Sequence, residues 1–237
     1  MNFKNILHYV YTSILLLIVF TISIYIKHIE LYKISNIEIN GNNFISKMDI
    51  EKTIKKTIRK NSLLNLDIKS LQNNINRNPY ISSSRVYAAL PSKIIIEVKE
   101  ISPIALFKKN NKIYFLDNKL KSIMVNSESL NYFSVPVITN KINNNYSVAG
   151  EILNIIKKHN KELYNKINEV SINDNEILLY ISNNTKIKIK HKEEIRNTFK
   201  LLSFIDTIIE NHKQISDYKY VDLTIPKQII VKENNKI

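Results

Sequence analysis

An uncharged run near the N-terminus constrains this chain more than any other feature of its sequence. No Lys, Arg, Asp or Glu lies between Lys4 and Lys27, and the stretch from Asn5 to Ile26 holds 22 residues. As an α-helix rising about 1.5 Å per residue, it would measure roughly 33 Å, which matches the ~30 Å hydrocarbon core of a bilayer. The sequence therefore predicts a short N-terminal stub and a membrane-spanning helix within residues 1–27.

A cleaved signal peptide is the alternative interpretation of this run. Signal peptides have apolar stretches of about 7–15 residues, followed by small residues at the cleavage site. The run is longer than that, and Tyr25 to Glu30 offers no pair of small residues, so we favour an uncleaved anchor. No second run of this length occurs, which predicts a single-pass protein. The lysines on the two sides are nearly equal in number, so charge leaves the orientation open.

The composition excludes several classes of protein. The absence of cysteine excludes disulfide scaffolds, thiol chemistry and zinc held by Cys ligands. The only two glycines are Gly41 and Gly150, so neither a GxGxxG loop nor a Walker loop can exist. The net charge is +14, but the lysines are spread along the chain instead of forming a basic stripe. We therefore expect no nucleic-acid partner.

The ionisable residues form no recognisable catalytic arrangement. None of the five histidines belongs to an HExxH motif or has a second histidine four residues away. Ser203, Asp206 and His212 lie close in sequence, but on one predicted helix His212 falls two turns beyond the others, out of hydrogen-bond reach. We expect no enzymatic activity, no metal and no cofactor, which leaves a binding protein.

Strand and helix patterns alternate in the first part of the chain after the span. Ile34 to Asn40 has a period of two, which predicts a strand, and Gly41 supplies a turn after it. Ser46 and Asp49 resemble a capping box at the start of a helix. The patterns predict a strand at 34–40, helices from about 47 to 58 and from about 67, and strands at 85–90 and 93–101, a β-α-α-β-β domain over residues 34–101.

A different pattern begins after Pro103, with short strand-like runs separated by turn residues such as Asn110 and Asn111. Two helices are predicted, at about 148–164 and 193–211. The second has an apolar stripe of Ile195, Phe199, Leu202, Ile205 and Ile209. Residues 102–237 are therefore predicted to form a mainly antiparallel β domain with two helices, and the fold class is α+β. Its predicted strands are 104–108, 112–116, 121–125, 135–139, 169–172, 177–182, 186–190, 218–225 and 228–233.

Organised in this way, the chain resembles the bacterial cell-division family FtsQ, also called DivIB, over nearly its whole length. The first domain resembles a POTRA domain through Ile37–Asn42, Asn65–Asp67, Asn78–Ile81, and Pro91 with the strand Ile94–Glu100. Farther on, Ile113–Asp117 and Tyr220–Leu223 are similar to the family's "yLvD" and "vDLRy" segments. Thr224 and Ile225 depart from the pattern, because the family has Arg and Tyr there.

The resemblance implies an essential septation scaffold that catalyses nothing. Such a protein sits in the inner membrane with type II orientation, its C-terminal part in the periplasm at the division septum. It links early cytoplasmic division proteins to late septal-wall synthesis, and it binds other division proteins through the POTRA domain and the transmembrane helix. Two alternatives remain: a POTRA-containing component of protein export or outer-membrane assembly, and an anchored periplasmic enzyme.

The last predicted strand is the candidate partner site. An exposed edge strand offers unpaired N–H and C=O groups to which a partner segment can add as another strand. The alternative is that its isoleucines are core residues and that the strand is paired internally. The resemblance implies that FtsB, within the FtsB–FtsL pair, is taken up here. The predicted contacts are Thr224, Ile225, Gln228, Ile229, Ile230 and Val231, together with Lys186 and Lys188 facing acidic residues of the partner.

Overall fold

The computed structural model describes residues 3–28, 32–58, 62–140 and 146–234. The chain divides into two compact units, residues 1–100 and residues 101–237. The first unit contains a long apolar helix and a small α/β domain, and the second is built on a large sheet. This mixed content confirms the predicted α+β class.

The apolar run forms one helix, α1 (Phe3–His28). Its stretch Ile6–Tyr25 is long and apolar enough to cross a membrane, and none of it is buried within the protein. The hydroxyl groups of Thr12, Thr21 and Ser23 donate to backbone carbonyls three or four residues earlier, at 2.8–2.9 Å. These polar groups are therefore satisfied inside the helix, as a hydrocarbon environment requires. Helix α1 is consistent with a membrane anchor.

The domain that follows α1 has the predicted order β-α-α-β-β. Its sheet has β3 in the centre, parallel to β1 and antiparallel to β2. Strand β2 begins four residues earlier than predicted, because Ser82, Ser83 and Ser84 lack the apolar side chains that indicate a strand. The elements are β1 (Asn36–Asn40), α2 (Lys47–Ile58), α3 (Ile68–Asn76), β2 (Ile81–Ala89) and β3 (Lys93–Glu100).

Side-chain caps begin both helices of this domain. The hydroxyl oxygen of Ser46 accepts from the backbone N–H of Asp49 at 3.1 Å, and the carboxylate of Asp67 accepts from that of Ser70 at 2.9 Å. Each cap satisfies one of the N–H groups that have no partner within the helix. The core behind the caps contains Ile50, Ile54, Leu71, Ile75, Ile94 and Ile96, all buried.

A nine-stranded mixed sheet forms the second unit, in the order β12-β11-β10-β9-β8-β7-β4-β5-β6. Five of its pairings are antiparallel and three are parallel, so the sheet is mainly antiparallel as predicted. The strands are β4 (Pro103–Lys109), β5 (Lys112–Asp117), β6 (Ser122–Met124), β7 (Val137–Asn140), β8 (Ile167–Ile172), β9 (Glu176–Ile181), β10 (Thr185–Lys190), β11 (Tyr218–Asp222) and β12 (Ile230–Glu233).

The described part of this unit has four α-helices instead of the two predicted: α4 (Ser127–Tyr132), α5 (Ser147–His159), α6 (Lys161–Lys166) and α7 (Glu194–Glu210). The predicted helix 148–164 is interrupted at Asn160, whose φ of −145° lies outside the helical region. The Asn160 side chain accepts from the N–H of Leu163 at 2.8 Å and so begins a new helix. The short α4 has its own capping box, formed by Asn126 and Ser129.

The buried face of α7 differs from the predicted stripe. Ile195, Phe199 and Ile209 are exposed, so assigning them to the core was wrong. Leu202 and Ile205 are buried as predicted, and Thr198, Leu201 and Ile208 are buried beside them. Helix α7 carries two overlapping apolar stripes, and packing against α5 and β10 selects the second. Periodicity alone cannot make that choice, because both stripes fit a repeat of 3.6 residues.

Candidate functional site

Strand β12 lies at one end of the nine-stranded sheet. It pairs with β11 on one side, and no strand lies on its other side within the part of the chain that the structure describes. All four of its residues, Ile230–Glu233, are exposed. The outer backbone groups of such a strand are available to another segment. The structure therefore places the last strand at an edge of the sheet.

The two apolar residues of β12 point to opposite faces of the sheet. Val231 lies opposite Val221, which is fully buried, so Val231 is on the core face. Ile230 lies opposite Asp222 on the other face, which we call the open face, and Lys232 lies opposite Tyr220 on that face. Ile229 precedes the strand and packs, partly buried, against the core.

Thr224, Ile225 and Gln228 lie in the turn between β11 and β12, not in strands as predicted. Strand β11 ends at Asp222, whose carboxylate accepts from both the backbone N–H of Thr224 at 2.9 Å and its hydroxyl at 2.6 Å. These bonds bend the chain after Asp222, so that β11 does not continue its pairing with the neighbouring strand. Farther along, Lys227 has a φ of +61°, which also prevents a continuous strand.

Lys200 on α7 holds this turn by its ammonium group. The Nζ atom donates to the carbonyl of Leu223 at 3.3 Å, to that of Ile225 at 2.8 Å and to that of Gln228. Burial, and then the positive charge of Arg196, lower the pKa of Lys200, while the nearby carboxylates oppose this shift. The turn that leads into β12 is thus held by a side chain that lies 23 to 28 residues earlier in the chain.

Substituting Lys200 with methionine is expected to loosen the turn and β12. Three carbonyls lose a charged donor, so we expect the free energy of local opening to fall by about 1–2 kcal/mol. Hydrogen–deuterium exchange of residues 229–233 measures this opening. Lys219→Met is the control, because it removes the same charge from an exposed position on β11. Equal exchange in both variants would contradict the role of Lys200.

Lys186 and Lys188 lie on β10, with β11 between them and β12. Their neighbours Ile187 and Ile189 are buried in the core, so both lysines point to the open face. The strand register aligns Lys186 with β12, because Tyr220 of β11 lies opposite Lys186 on one side and opposite Lys232 on the other. The structure thus places the two lysines on the same face as Ile230, about two strand spacings, or ~10 Å, inside the edge.

The open face near the edge carries interacting charges. The ammonium of Lys188 lies 3.5 Å from the Glu176 carboxylate and 5.4 Å from the centre of the Tyr220 ring. Burial alone would lower the pKa of Lys188, but Glu176 and Tyr220 raise it above its usual value. For the acidic Asp222, burial alone would raise the pKa, but hydrogen bonds from Thr224 and Tyr220 hold that pKa below its usual value. Lys188 therefore remains cationic beside a charged Asp222.

A cavity of about 360 Å³ opens beside the far end of β12. Lys213 lines it, and the ammonium of Lys213 contacts the Glu233 carboxylate at 2.5 Å. Its apolar wall includes Ile205, Ile208 and Ile215. Among the described residues no group of three or more His, Asp or Glu lies close enough to hold a metal ion. The arrangement around β12 is suited to binding a chain segment.

Comparison with known proteins supports this organisation. The family model of the POTRA domain, FtsQ-type, matches residues 32–100. The cell division protein DivIB of Clostridium tetani is 25% identical over 181 residues, which cover 75% of this chain and 67% of that protein. The cell division protein FtsQ of Rickettsia typhi is 24% identical over 194 residues, which cover 81% and 69%.

A solved structure, that of the major extracytoplasmic domain of DivIB from Geobacillus stearothermophilus, aligns with 48% of this chain and 99% of its own. The TM-score of this alignment is 0.27 at 11% identity, which is too low to support a conclusion about the fold. The domain match and the curated relatives confirm the resemblance noted in the sequence. Residues 32–100 are therefore a POTRA domain of the FtsQ type, in a chain related to the bacterial cell-division proteins FtsQ and DivIB.

Proposed function

We propose that this protein is a membrane-anchored scaffold of cell division that takes up a strand of a partner at the free edge of β12. The names of its relatives support a role in cell division. The exposed edge position of β12 is the observation that carries the mode of binding. A partner strand would continue the ladder through backbone hydrogen bonds, and Ile230 and Val231 would contact its side chains on the two faces.

The proposed partner is FtsB, within the FtsB–FtsL pair. Lys186, Lys188 and Lys232 share the open face with Ile230, and this excess of cations favours acidic side chains on the incoming strand. Thr224 bonds to Asp222 and Ile225 is exposed beside the edge, so the turn presents a short polar and apolar surface instead of the family's Arg and Tyr. We expect the partner to carry matching differences there.

The scaffold would connect two compartments. Helix α1 would cross the inner membrane once with its N-terminus in the cytoplasm, and the two units after it would lie in the periplasm at the septum. The POTRA domain and α1 would contact other division proteins, so that early cytoplasmic factors are joined to late septal-wall synthesis. The mechanism needs no catalysis, because β-strand addition is a binding reaction.

Depletion of the protein is expected to produce filaments without septa. A scaffold that recruits late division proteins is needed at every septum, so its loss should stop septation while growth continues. Light microscopy of a depletion strain measures cell length and septum number. Normal septation together with a loss of outer-membrane proteins would instead favour the alternative role in outer-membrane assembly or export.

A further inference from the structure

The end of the POTRA domain at which the chain enters carries an exposed leucine at the tip of a turn. Strands β1 and β3 run parallel from this end, so Asn36 lies beside Lys93. The N–H of Ser35 donates to the carbonyl of Ser92 at 3.0 Å, which places the β2–β3 turn next to the entering chain. Leu90, in that turn, is 70% exposed.

A second exposed leucine reaches the same end from a different segment. Lys33 forms an isolated antiparallel bridge with Ser62, just after helix α2. Ser62 precedes the 3-10 turn Leu63–Asn65, in which Leu63 is buried and Leu64 is exposed. Lys33 itself is also exposed. The fold thus brings Lys33, Leu64 and Leu90 to one end of the domain, which we call the basal surface.

The short connection between α1 and the POTRA domain keeps the basal surface near the membrane. Helix α1 ends at His28, five residues before Lys33, and a fully extended chain of that length reaches at most about 18 Å. The apolar stretch already ends at Tyr25, so the last residues of α1 extend into the headgroup layer. That layer adds roughly 5–7 Å to each side of the hydrocarbon core. Lys33 is therefore tethered within a short distance of the lipid headgroups.

We propose that the basal surface rests on the bilayer that α1 spans, with Leu64 and Leu90 in the headgroup layer and Lys33 on anionic lipid phosphates. This inference rests on the proposed membrane span. Exposed leucines favour the interface because their apolar surface leaves water, and cationic side chains are attracted to anionic lipid. Lys93 lies at the same end, but its ammonium pairs with the Glu38 carboxylate, so we assign the electrostatic contact to Lys33.

Single-cysteine labels test this contact without background, because the chain has no cysteine. Full-length Leu90→Cys carries an environment-sensitive fluorophore and is reconstituted into vesicles of phosphatidylcholine with phosphatidylglycerol. A lipid with a nitroxide on its headgroup then quenches any label at the surface. Met48→Cys is the matched control, since Met48 is 67% exposed in the same domain, about 15 Å along α2 from Ile58.

We expect several-fold stronger quenching at position 90 than at position 48. In the Leu90→Cys background, Lys33→Glu should reduce quenching when phosphatidylglycerol is present. Lys99→Glu, an equal charge change on an exposed residue at the opposite end of β3, should not. Equal quenching at positions 90 and 48 would overturn the proposal, and so would equal effects of the two charge reversals. Resistance to alkaline extraction reports the span of α1 separately, so a missing anchor is distinguished from a missing lipid contact.

Discussion

Replacing Ile230 with aspartate is expected to lower the affinity for the FtsB–FtsL pair by at least about thirtyfold, which corresponds to roughly 2 kcal/mol. The substitution removes an apolar contact on the open face of the edge strand and places a carboxylate where the partner strand would pack. Ile230 is 45% exposed and its side chain is not part of the core, so the fold should be retained. Binding of the full-length protein to the purified pair, followed by calorimetry or surface plasmon resonance, measures the effect.

The matched control for this prediction is Ile113→Asp. Ile113 is 44% exposed and lies on β5, near the opposite end of the same sheet. The two variants therefore make the same chemical change at nearly equal exposure, one on the edge strand β12 and one on β5, next to the edge strand β6 at the opposite end. Unchanged binding by Ile230→Asp, or an equal loss in both variants, would place the partner site elsewhere on the molecule.

Replacing Gly41 with alanine is expected to destabilise the POTRA domain by about 3 kcal/mol or more. Gly41 has a φ of +83°, which L side chains rarely adopt, and an added methyl group would lie 2.2 Å from the carbonyl oxygen of Val98. Val98 belongs to the central strand β3, so its carbonyl cannot move away cheaply. The loop after Gly41 is also fixed, because the Glu100 carboxylate accepts from the N–H groups of Asn43, Phe44 and Ile45 at 2.8–3.0 Å.

Hydrogen–deuterium exchange of peptides from β1 and β3 measures this loss within the full chain. Gly150→Ala is the control, since it adds the same methyl group to helix α5. There the close neighbours are the ends of the Leu120 and Leu116 side chains, at 2.5 and 2.7 Å, which can rotate away more easily than a backbone carbonyl. Similar protection of β1 and β3 in Gly41→Ala and the unaltered protein would show that the turn tolerates a side chain.

Much of the fold could be predicted because its signals are local. The uncharged run of α1, the cap at Ser46 and the alternation in β1 each lie within a few residues of the element that they define. The turn at Asn110 and Asn111 is equally local, and both residues have positive φ values, of 48° and 60°. Patterns of this kind need no knowledge of tertiary contacts.

Where the sequence pattern was compatible with more than one arrangement, tertiary packing determined which one formed. The break at Asn160 could not be predicted, because the apolar residues on both of its sides continue one helical pattern. In the structure the Asn160 side chain accepts from the N–H of Leu163 and caps a new helix. In α7, packing against α5 and β10 buried Leu201 and Ile208 and left Ile195 and Phe199 exposed. Neither outcome can be obtained from a period of 3.6, since each depends on which surface the helix meets.

The candidate site was only partly accessible to sequence reasoning. Alternating isoleucine and valine indicated a final strand, but the bonds that shape its approach are long-range. The contacts of Lys200 with Leu223 and Gln228 join residues more than 20 positions apart and have no local signature. The Asp222 bond to Thr224 shortened the preceding strand and moved Thr224 and Ile225 into the turn. The signal that could have indicated this is Thr224, a hydroxyl residue two positions after Asp222, because an Asp side chain commonly bonds to the backbone two residues on and forms a turn.

The unequal ends of the large sheet determine how the molecule can assemble. The end opposite to β12 is β6, which has three residues, Ser122–Met124. Joining copies end to end would require that short strand to pair with β12, and three residues supply few ladder bonds. End-to-end growth of the sheet through copies of this chain is therefore disfavoured, because one of its two ends is too short to hold a further strand.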